Sequence, residues 1–102
     1  MAKKDRKQKA KPSGEKWFVY IVRCADGSLY TGITKDVVRR CTQHNAGTAS
    51  KYTRSRCPVE LVFREDHPDQ SSALKRELEI KSMNRRGKLA MIQQSKKLTK
   101  GR

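Results

Sequence analysis

The sequence has little of what builds disulfide-stabilised, zinc-binding or membrane proteins. It has three cysteines, an odd number at wide spacing, with no Cys-x-x-Cys pair and no Cys/His cluster of zinc spacing. No apolar run is long enough to cross a bilayer, and the charged first residues lack the apolar stretch of a signal peptide. We therefore expect a cytoplasmic protein with reduced thiols and no membrane partner, and association with the nucleoid stays open.

Acidic residues are scarce relative to basic ones. The chain has 25 Lys and Arg against 10 Asp and Glu, for a formal net charge of +15. Residues 1–16 carry a net +5 and residues 95–102 a net +4, and the segment between them is basic too. A basic domain with basic termini is typical of proteins that bind a phosphate-rich partner. Nucleic acid is the expected partner, because solubility alone would not require all three regions to share one sign.

Apolar residues make up only 34% of the 102 residues, so we expect part of the chain to be unpacked. The Lys-rich segment 1–15 is predicted to be a disordered basic arm, and 95–102 a disordered basic tail. The segment between them, 16–94, is predicted to be one domain. The sequence leaves its oligomeric state undetermined.

The hydrophobic pattern predicts the element order ββαβαα for this domain. We expect strands over 17–23, 29–33 and 59–64, and helices capped by Thr34, by Ser71 and near Asn84. Residues 47–58 are predicted to be a polar loop. This order indicates an α+β fold with a three-stranded, mostly antiparallel sheet flanked by helices.

The turn Ala25-Asp26-Gly27 sets the register of the first two strands. A three-residue loop would place Gly27 in the left-handed position of a bulge and would pair Tyr20 with Gly32. Tyr20 and Tyr30 would then share one face of the sheet as diagonal neighbours, roughly 7–8 Å apart. A loop one residue shorter or longer would put them on opposite faces. Gly32 would also leave open space over the Tyr20 phenol.

Two helices present polar side chains on defined faces. Arg40 and His44 are four residues apart, so they share a face of the first helix, whose predicted apolar stripe is Val37, Val38 and Cys41. In the second helix, Glu77 falls on the same row as Ala73 and Ile80, which should face the core.

Several of these residues, taken in order, resemble the GIY-YIG nuclease domain, and most closely its small stand-alone bacterial members. The resemblance covers about 16–94 and rests on the following residues: Tyr20, Tyr30-Thr31-Gly32, Arg40, His44-Asn45 and Glu77. The first family tripeptide is Val19-Tyr20-Ile21 here, and the second has Thr31 for its isoleucine. Both tyrosines and the glycine remain.

The resemblance implies a metal-dependent endonuclease that hydrolyses DNA phosphodiester bonds. Tyr20 would take a proton from the attacking water, and Tyr30 would hold the water or the phosphate. Arg40 would contact the scissile phosphate, and His44 would bind phosphate or assist proton transfer. A phenol has an ordinary pKa of about 10, so Tyr20 would need a nearby cation, the metal or Arg40, to lower it.

Glu77 would bind the divalent cation, Mg²⁺ or Mn²⁺, because Mg²⁺ typically takes only one or two protein carboxylates. The alternative for Glu77 is an ion pair with Arg40 or Lys81. Gly32 and Asn84 would support the site, although Asn84 is also a candidate cap of the last helix.

The loop after the first helix combines basic residues with an aromatic one. Its candidate nucleic-acid-binding residues are Lys51, Tyr52, Arg54 and Arg56, which suit backbone contacts plus stacking on a base. No separate sequence-reading domain is evident, so we expect weak or structure-directed specificity, for single-stranded or branched DNA, in repair or recombination. The alternatives are a nucleic-acid-binding protein that cuts little, and a protein associated with ribosomal RNA.

Overall fold

The computed structural model describes residues 16–100, with side chains through Lys96. Its elements are, in order, β1 Trp17–Arg23, β2 Leu29–Thr34, α1 Val37–Asn45, α2 Lys51–Arg54, β3 Glu60–His67, α3 Gln70–Lys81 and α4 Arg85–Lys100. The α+β class and the antiparallel sheet are as predicted, and α2 is an additional short helix. The predicted arm over 1–15 lies outside the described residues. Within the described part, no helix is both long enough and apolar enough to span a membrane.

The sheet has the strand order β2-β1-β3, and β1 pairs antiparallel with both neighbours. Across β1 and β2, Tyr20 pairs with Gly32 and Val22 pairs with Tyr30. Gly27 has a φ of 87°, the left-handed conformation that glycine adopts without steric cost. The predicted three-residue loop and its register are therefore confirmed.

Because strand side chains alternate, central β1 supplies a core to each face of the sheet. Val19 and Ile21 pack with Ala73 and Ile80 of α3 on one face, which α4 also helps to cover. Tyr20, Val22, Cys24 and Val59 form the core of the other face, where Cys41 of α1 packs against them. Fully burying an aliphatic side chain stabilises a fold by roughly 1.5–3 kcal/mol, so both cores contribute to holding β1 in place. Because the two cores contain residues of different helices, α1 and α3 lie on opposite faces of the sheet.

Two of the three predicted helix caps are shifted by two residues. The side chain of Asp36, not of Thr34, accepts an N–H from the first turn of α1, at 3.1 Å. Likewise Asp69, not Ser71, caps α3 at 2.9 Å. In each case a carboxylate occupies the cap, where its negative charge also interacts favourably with the positive end of the helix.

Three further features differ from the prediction. Residues 51–54 of the predicted loop form α2, because the Ser50 side chain accepts the Tyr52 N–H and so caps a helical turn. Val38 is 74% exposed and is not part of the apolar stripe of α1. The predicted tail from residue 95 continues α4 as far as Lys100, since no glycine or proline interrupts the chain between Lys88 and that residue.

Candidate active site

Tyr20 and His44 form a buried hydrogen bond between β1 and α1. The Tyr20 Oη lies 2.8 Å from His44 Nε2, and the two residues are 1% and 0% exposed. Strand alternation points Tyr20 at the face that α1 covers, and His44 lies on the buried side of α1. The two predicted catalytic residues are therefore in direct contact.

A threonine continues this contact into a chain of three buried groups. The Thr53 Oγ1 lies 2.8 Å from His44 Nδ1 and donates to the Ser50 carbonyl oxygen at 3.4 Å. The roles of the two ring nitrogens depend on the tautomer: if Thr53 gives its proton to that carbonyl, His44 Nδ1 carries the ring proton and Nε2 accepts the Tyr20 hydroxyl. Sequence reasoning missed Thr53 because it fell in a predicted loop. The signal that would have found it is the helix cap at Ser50, which makes Thr53 helical.

Tyr30 completes an aromatic cluster around His44. Its ring centroid is 5.1 Å from that of His44 and 6.5 Å from that of Tyr20. The two tyrosines share one face of the sheet, as the register predicts. The hairpin and α1 thus bring the two phenols and the imidazole to a single point.

Gly32 lies directly beneath the Tyr20 phenol. A Cβ atom at position 32 would lie 2.7 Å from the Tyr20 Oη. The space that Gly32 was expected to leave open is therefore occupied by the Tyr20 ring. Gly32 is required because any side chain there would displace the hydroxyl from His44.

Arg40 lies one turn before His44 on α1, half-buried. It donates through Nη1 to the Gln43 side chain at 3.1 Å and through Nη2 to the Ala49 carbonyl at 3.4 Å. Its Nε is buried without an acceptor among the described residues. Both of these partners are neutral, so the charge of Arg40 stays available to an anion. Its neighbour Arg39 is exposed, as a residue on the other side of the helix should be.

Tyr20 and His44 are both held in their neutral forms. Burial raises the pKa of Tyr20 from 10.0 to about 12, against the lowering effect of the nearby Arg40 guanidinium. Burial, and secondarily the charge of Arg40, lowers the pKa of His44 below 6.5. Arg40 acts on Tyr20 in the predicted direction, but burial outweighs it.

Glu77 is in the layer on the other face of the sheet. Its carboxylate is 14% exposed and lies 3.2 Å from Lys81 Nζ, which is one of the predicted alternatives. Its helix, α3, packs against β1 and against the edge strand β2. The structure brings Tyr20, Tyr30, Arg40 and His44 together and leaves Glu77 outside their contacts.

The donor set available for a metal is small. Residues 16–96 contain no group of three or more His, Cys, Asp or Glu side chains that could hold an ion. Mg²⁺ commonly takes one or two carboxylates and completes its shell with water and substrate phosphates. The single glutamate Glu77 fits that chemistry, provided that its ion pair with Lys81 is replaced by a bond to the metal ion.

Tyr52 and Arg56, two of the predicted nucleic-acid-binding residues, are engaged within the protein. The Tyr52 ring stacks on Tyr30 with a centroid distance of 5.9 Å, and the Arg56 guanidinium lies 4.1 Å from the Tyr52 centroid. Arg56 also pairs with Asp26 at 3.0 Å. These contacts leave Tyr52 less free to stack on a base than the sequence predicts, and they partly neutralise Arg56.

The other members of the predicted set have different surroundings. Lys51 and Arg54 are exposed and line a groove of about 480 Å³ that begins at Gly47. Asn84 caps α4, since its Oδ1 accepts the Gly87 N–H at 2.8 Å. Asn84 therefore takes the alternative that the sequence left open for it.

Comparison with known proteins identifies the class. The GIY-YIG catalytic domain family model matches residues 16–90, and the chain belongs to this nuclease family. It is 58% identical over 80 residues to a UPF0213 protein of Staphylococcus epidermidis, and the matched segment covers 78% of this chain and 98% of that protein. A UPF0213 protein of Desulfotalea psychrophila is 52% identical over 82 residues, covering 79% and 74%.

A solved structure of a related protein is also similar to this chain. The solution NMR structure of a UPF0213 protein from Bacillus halodurans superposes with a TM-score of 0.51 at 42% identity. The match covers 76% of this chain and 83% of that one. The resemblance to small single-domain bacterial members of the GIY-YIG family is therefore confirmed.

Proposed function

We propose that this protein is a divalent-metal-dependent endonuclease that hydrolyses phosphodiester bonds in DNA. The observation that carries the proposal is the buried hydrogen-bonded chain of Tyr20, His44 and Thr53 beside Arg40. Buried polar groups need hydrogen-bond partners, and this chain satisfies its members while placing them within the distance over which a proton can be transferred.

The direction of the hydrogen bonds suggests how the phenol would act as a base. Tyr20 donates its proton to His44 Nε2, so its oxygen lone pairs face away from His44. When Tyr20 takes a proton from the attacking water, it passes its own proton to Nε2, and no tyrosinate needs to accumulate. The resulting imidazolium keeps its Nδ1–H bond to Thr53. This relay overcomes the difficulty that burial raises the pKa of Tyr20 to about 12.

Arg40 and Tyr30 are suited to holding the phosphate. The Arg40 guanidinium has only neutral partners, Gln43 and Ala49, so it can stabilise negative charge that develops on the phosphoryl oxygens. Tyr30, packed beside His44, is placed to orient the water or the phosphate. Glu77 would hold the cation, Mg²⁺ or Mn²⁺, after releasing Lys81. A bound ion would supply positive charge at the phosphate and a more acidic water.

The size of the domain supports weak or structure-directed specificity. The described residues form one small α+β unit around the site, with no added module to read base sequence. Single-stranded or branched DNA is the proposed substrate, and repair or recombination is the proposed setting. The net charge of +15 supports binding through the phosphate backbone.

Cleavage of defined DNA substrates by rigorously purified protein tests this proposal. Labelled single-stranded, duplex and branched DNA are incubated with Mg²⁺, with Mn²⁺ or with a chelator. We expect metal-dependent cleavage that falls at least about 100-fold in Tyr20→Phe, the lower limit for loss of a general base. Glu77→Ala should lose cleavage as well, and Glu79→Ala, which alters an exposed carboxylate two residues along the same helix, should not. Cleavage that survives both Tyr20→Phe and Glu77→Ala would exclude this active site.

A second candidate is a nucleic-acid-binding protein that retains the fold but does not cut. The raised pKa of Tyr20 and the pairing of Glu77 with Lys81 favour it, because neither group is activated in the protein alone. Binding without metal-dependent cleavage would support it. Comparing affinity for ribosomal RNA with affinity for branched DNA at physiological salt would then identify the partner.

A further inference from the structure

A cleft at the β2 edge of the sheet lies outside the site described above. It has a volume of about 230 Å³ and is lined by Ser28, Leu29, Tyr52, Arg85 and Lys88. We propose that this edge cleft binds the phosphate backbone of the DNA strand that flanks the scissile bond. The inference rests on the proposed function, and it assigns Arg85 and Lys88 a role that neither the sequence pattern nor the family match assigns.

Arg85 and Lys88, the two basic residues of the edge cleft, form, within the described part of the chain, no ion pair that would stabilise the fold. Neither Arg85 nor Lys88 has a carboxylate partner among the described residues, and the first turn of α4 has no acidic residue. Cations near the positive end of a helix interact unfavourably with the helix dipole. A bound anion would reverse that cost, because it would interact favourably with both side chains.

The acidic group that is hydrogen-bonded to Ser28 of the edge cleft already has a basic partner. Ser28 donates its hydroxyl to Asp26 at 2.6 Å, and that carboxylate is paired with Arg56 at 3.0 Å. The charge of Asp26 is thus already compensated by an arginine. The local balance at the edge cleft is then set by Arg85 and Lys88, which favours a phosphate.

The edge cleft is continuous with the active site through stacked aromatic rings. Tyr52 lines the edge cleft and stacks on Tyr30 at 5.9 Å, and the Tyr30 ring lies 5.1 Å from His44. A strand whose phosphate is held by Arg40 would therefore pass Tyr30 and Tyr52 before it reaches the edge. This path would place one phosphate of the strand at the active site and another phosphate, farther along the strand, at the edge cleft.

The dimensions of the edge cleft favour a polymer over a free small molecule. Pockets for whole ligands typically enclose about 300–1,000 Å³, so about 230 Å³ suits a single phosphate and sugar of a longer chain. A strand that bends around a sheet edge must also be flexible. We therefore assign the edge cleft to a single-stranded segment of the DNA substrate.

The salt dependence of DNA binding tests the assignment. Binding of a fluorescently labelled single-stranded oligodeoxynucleotide is measured by anisotropy across a potassium chloride series, with chelator present to prevent cleavage. Each lost phosphate contact should reduce the slope of log affinity against log salt by about 0.7 for a single strand. We expect the R85Q/K88Q double variant to lose about 1.4 of that slope. Lys75→Gln removes an exposed positive charge from α3 and should lose little of it.

The outcomes separate this inference from the proposed function. If R85Q/K88Q has the same salt slope and affinity as Lys75→Gln, the edge cleft does not bind DNA. If Arg40→Gln then still loses binding, the proposed active site is retained. Wild-type protein that binds no DNA would overturn both. Circular dichroism of the variants checks folding. Amide shifts of Ser28 and Gly87 on adding DNA to wild-type protein give a second measure, and their absence would count against the edge cleft.

Discussion

Gly32 and Tyr20 face each other across the β1–β2 pair so closely that a methyl group at position 32 would lie 2.7 Å from the Tyr20 hydroxyl oxygen. The phenol fills the volume that the glycine leaves vacant, and from there it reaches His44. The glycine of the second family tripeptide therefore positions the tyrosine of the first.

Gly32→Ala should displace the Tyr20 hydroxyl and break its hydrogen bond to His44. Overpacking of a buried site costs typically 1–3 kcal/mol, so we expect a loss of about that size in the free energy of unfolding, measured by urea denaturation. Gly87→Ala is the control, because a Cβ there meets atoms no closer than 3.4 Å and alanine favours the helix. Unchanged stability in Gly32→Ala would contradict the close packing described here.

Thr53→Val should change the tautomer of His44. Valine keeps the shape of threonine but offers no acceptor to Nδ1–H, and an unsatisfied buried donor costs about 1–3 kcal/mol. We expect nitrogen NMR of the His44 ring to show Nδ1 deprotonated or the two tautomers mixed, whereas Thr53→Ser should retain the wild-type signals. A wild-type tautomer in Thr53→Val would remove Thr53 from the proposed relay.

Stability should decline as the pH falls below about 6.5, the ordinary pKa of histidine. Because burial lowers the pKa of His44, the unfolded chain binds a proton in this range before the folded protein does. The free energy of unfolding should therefore be flat above about pH 7 and decrease from there toward pH 5. Urea denaturation across this range measures it. The decrease should persist in His67→Gln, and if it also persists in full in His44→Gln, another group is responsible.

Stability should also decline at alkaline pH, where the Tyr20 phenol loses its proton. The pKa of Tyr20 is raised from 10.0 to about 12, so above pH 10 the unfolded chain loses this proton first. A difference of about two pKa units corresponds to roughly 2–3 kcal/mol, lost progressively between pH 10 and 12. The difference between tyrosinate absorbance titrations of wild type and Tyr20→Phe isolates the group. A midpoint near 10 for Tyr20 would show that its hydroxyl is not buried as described.

Local sequence signals predicted much of the fold. The turn at Ala25-Asp26-Gly27 gave the loop length, and the loop length determined which faces of the strands Tyr20 and Tyr30 occupy. The helical spacing placed Arg40 and His44 together. These features depend on strand and helix periods and on the conformational freedom of one glycine, all of which are local properties of the chain.

Errors arose where neighbouring residues competed for one role. Thr34 and Ser71 were predicted to cap helices, but a nearby aspartate does so in each case, and charge decides between residues of similar capping ability. The helix at 51–54 was missed because a single turn has no periodicity to detect. Thr53 was missed with it, although its hydroxyl fixes the orientation of His44.

By itself the sequence determined the fold class and the strand register, since both follow from short-range patterns, and its resemblance to a known domain named most residues around the phenol. Only the tertiary structure decided which layer each helix joins. It placed α1 over Tyr20 and α3 on the opposite face. It also decided the protonation of the site, because burial depends on what packs above a residue and not on its neighbours along the chain.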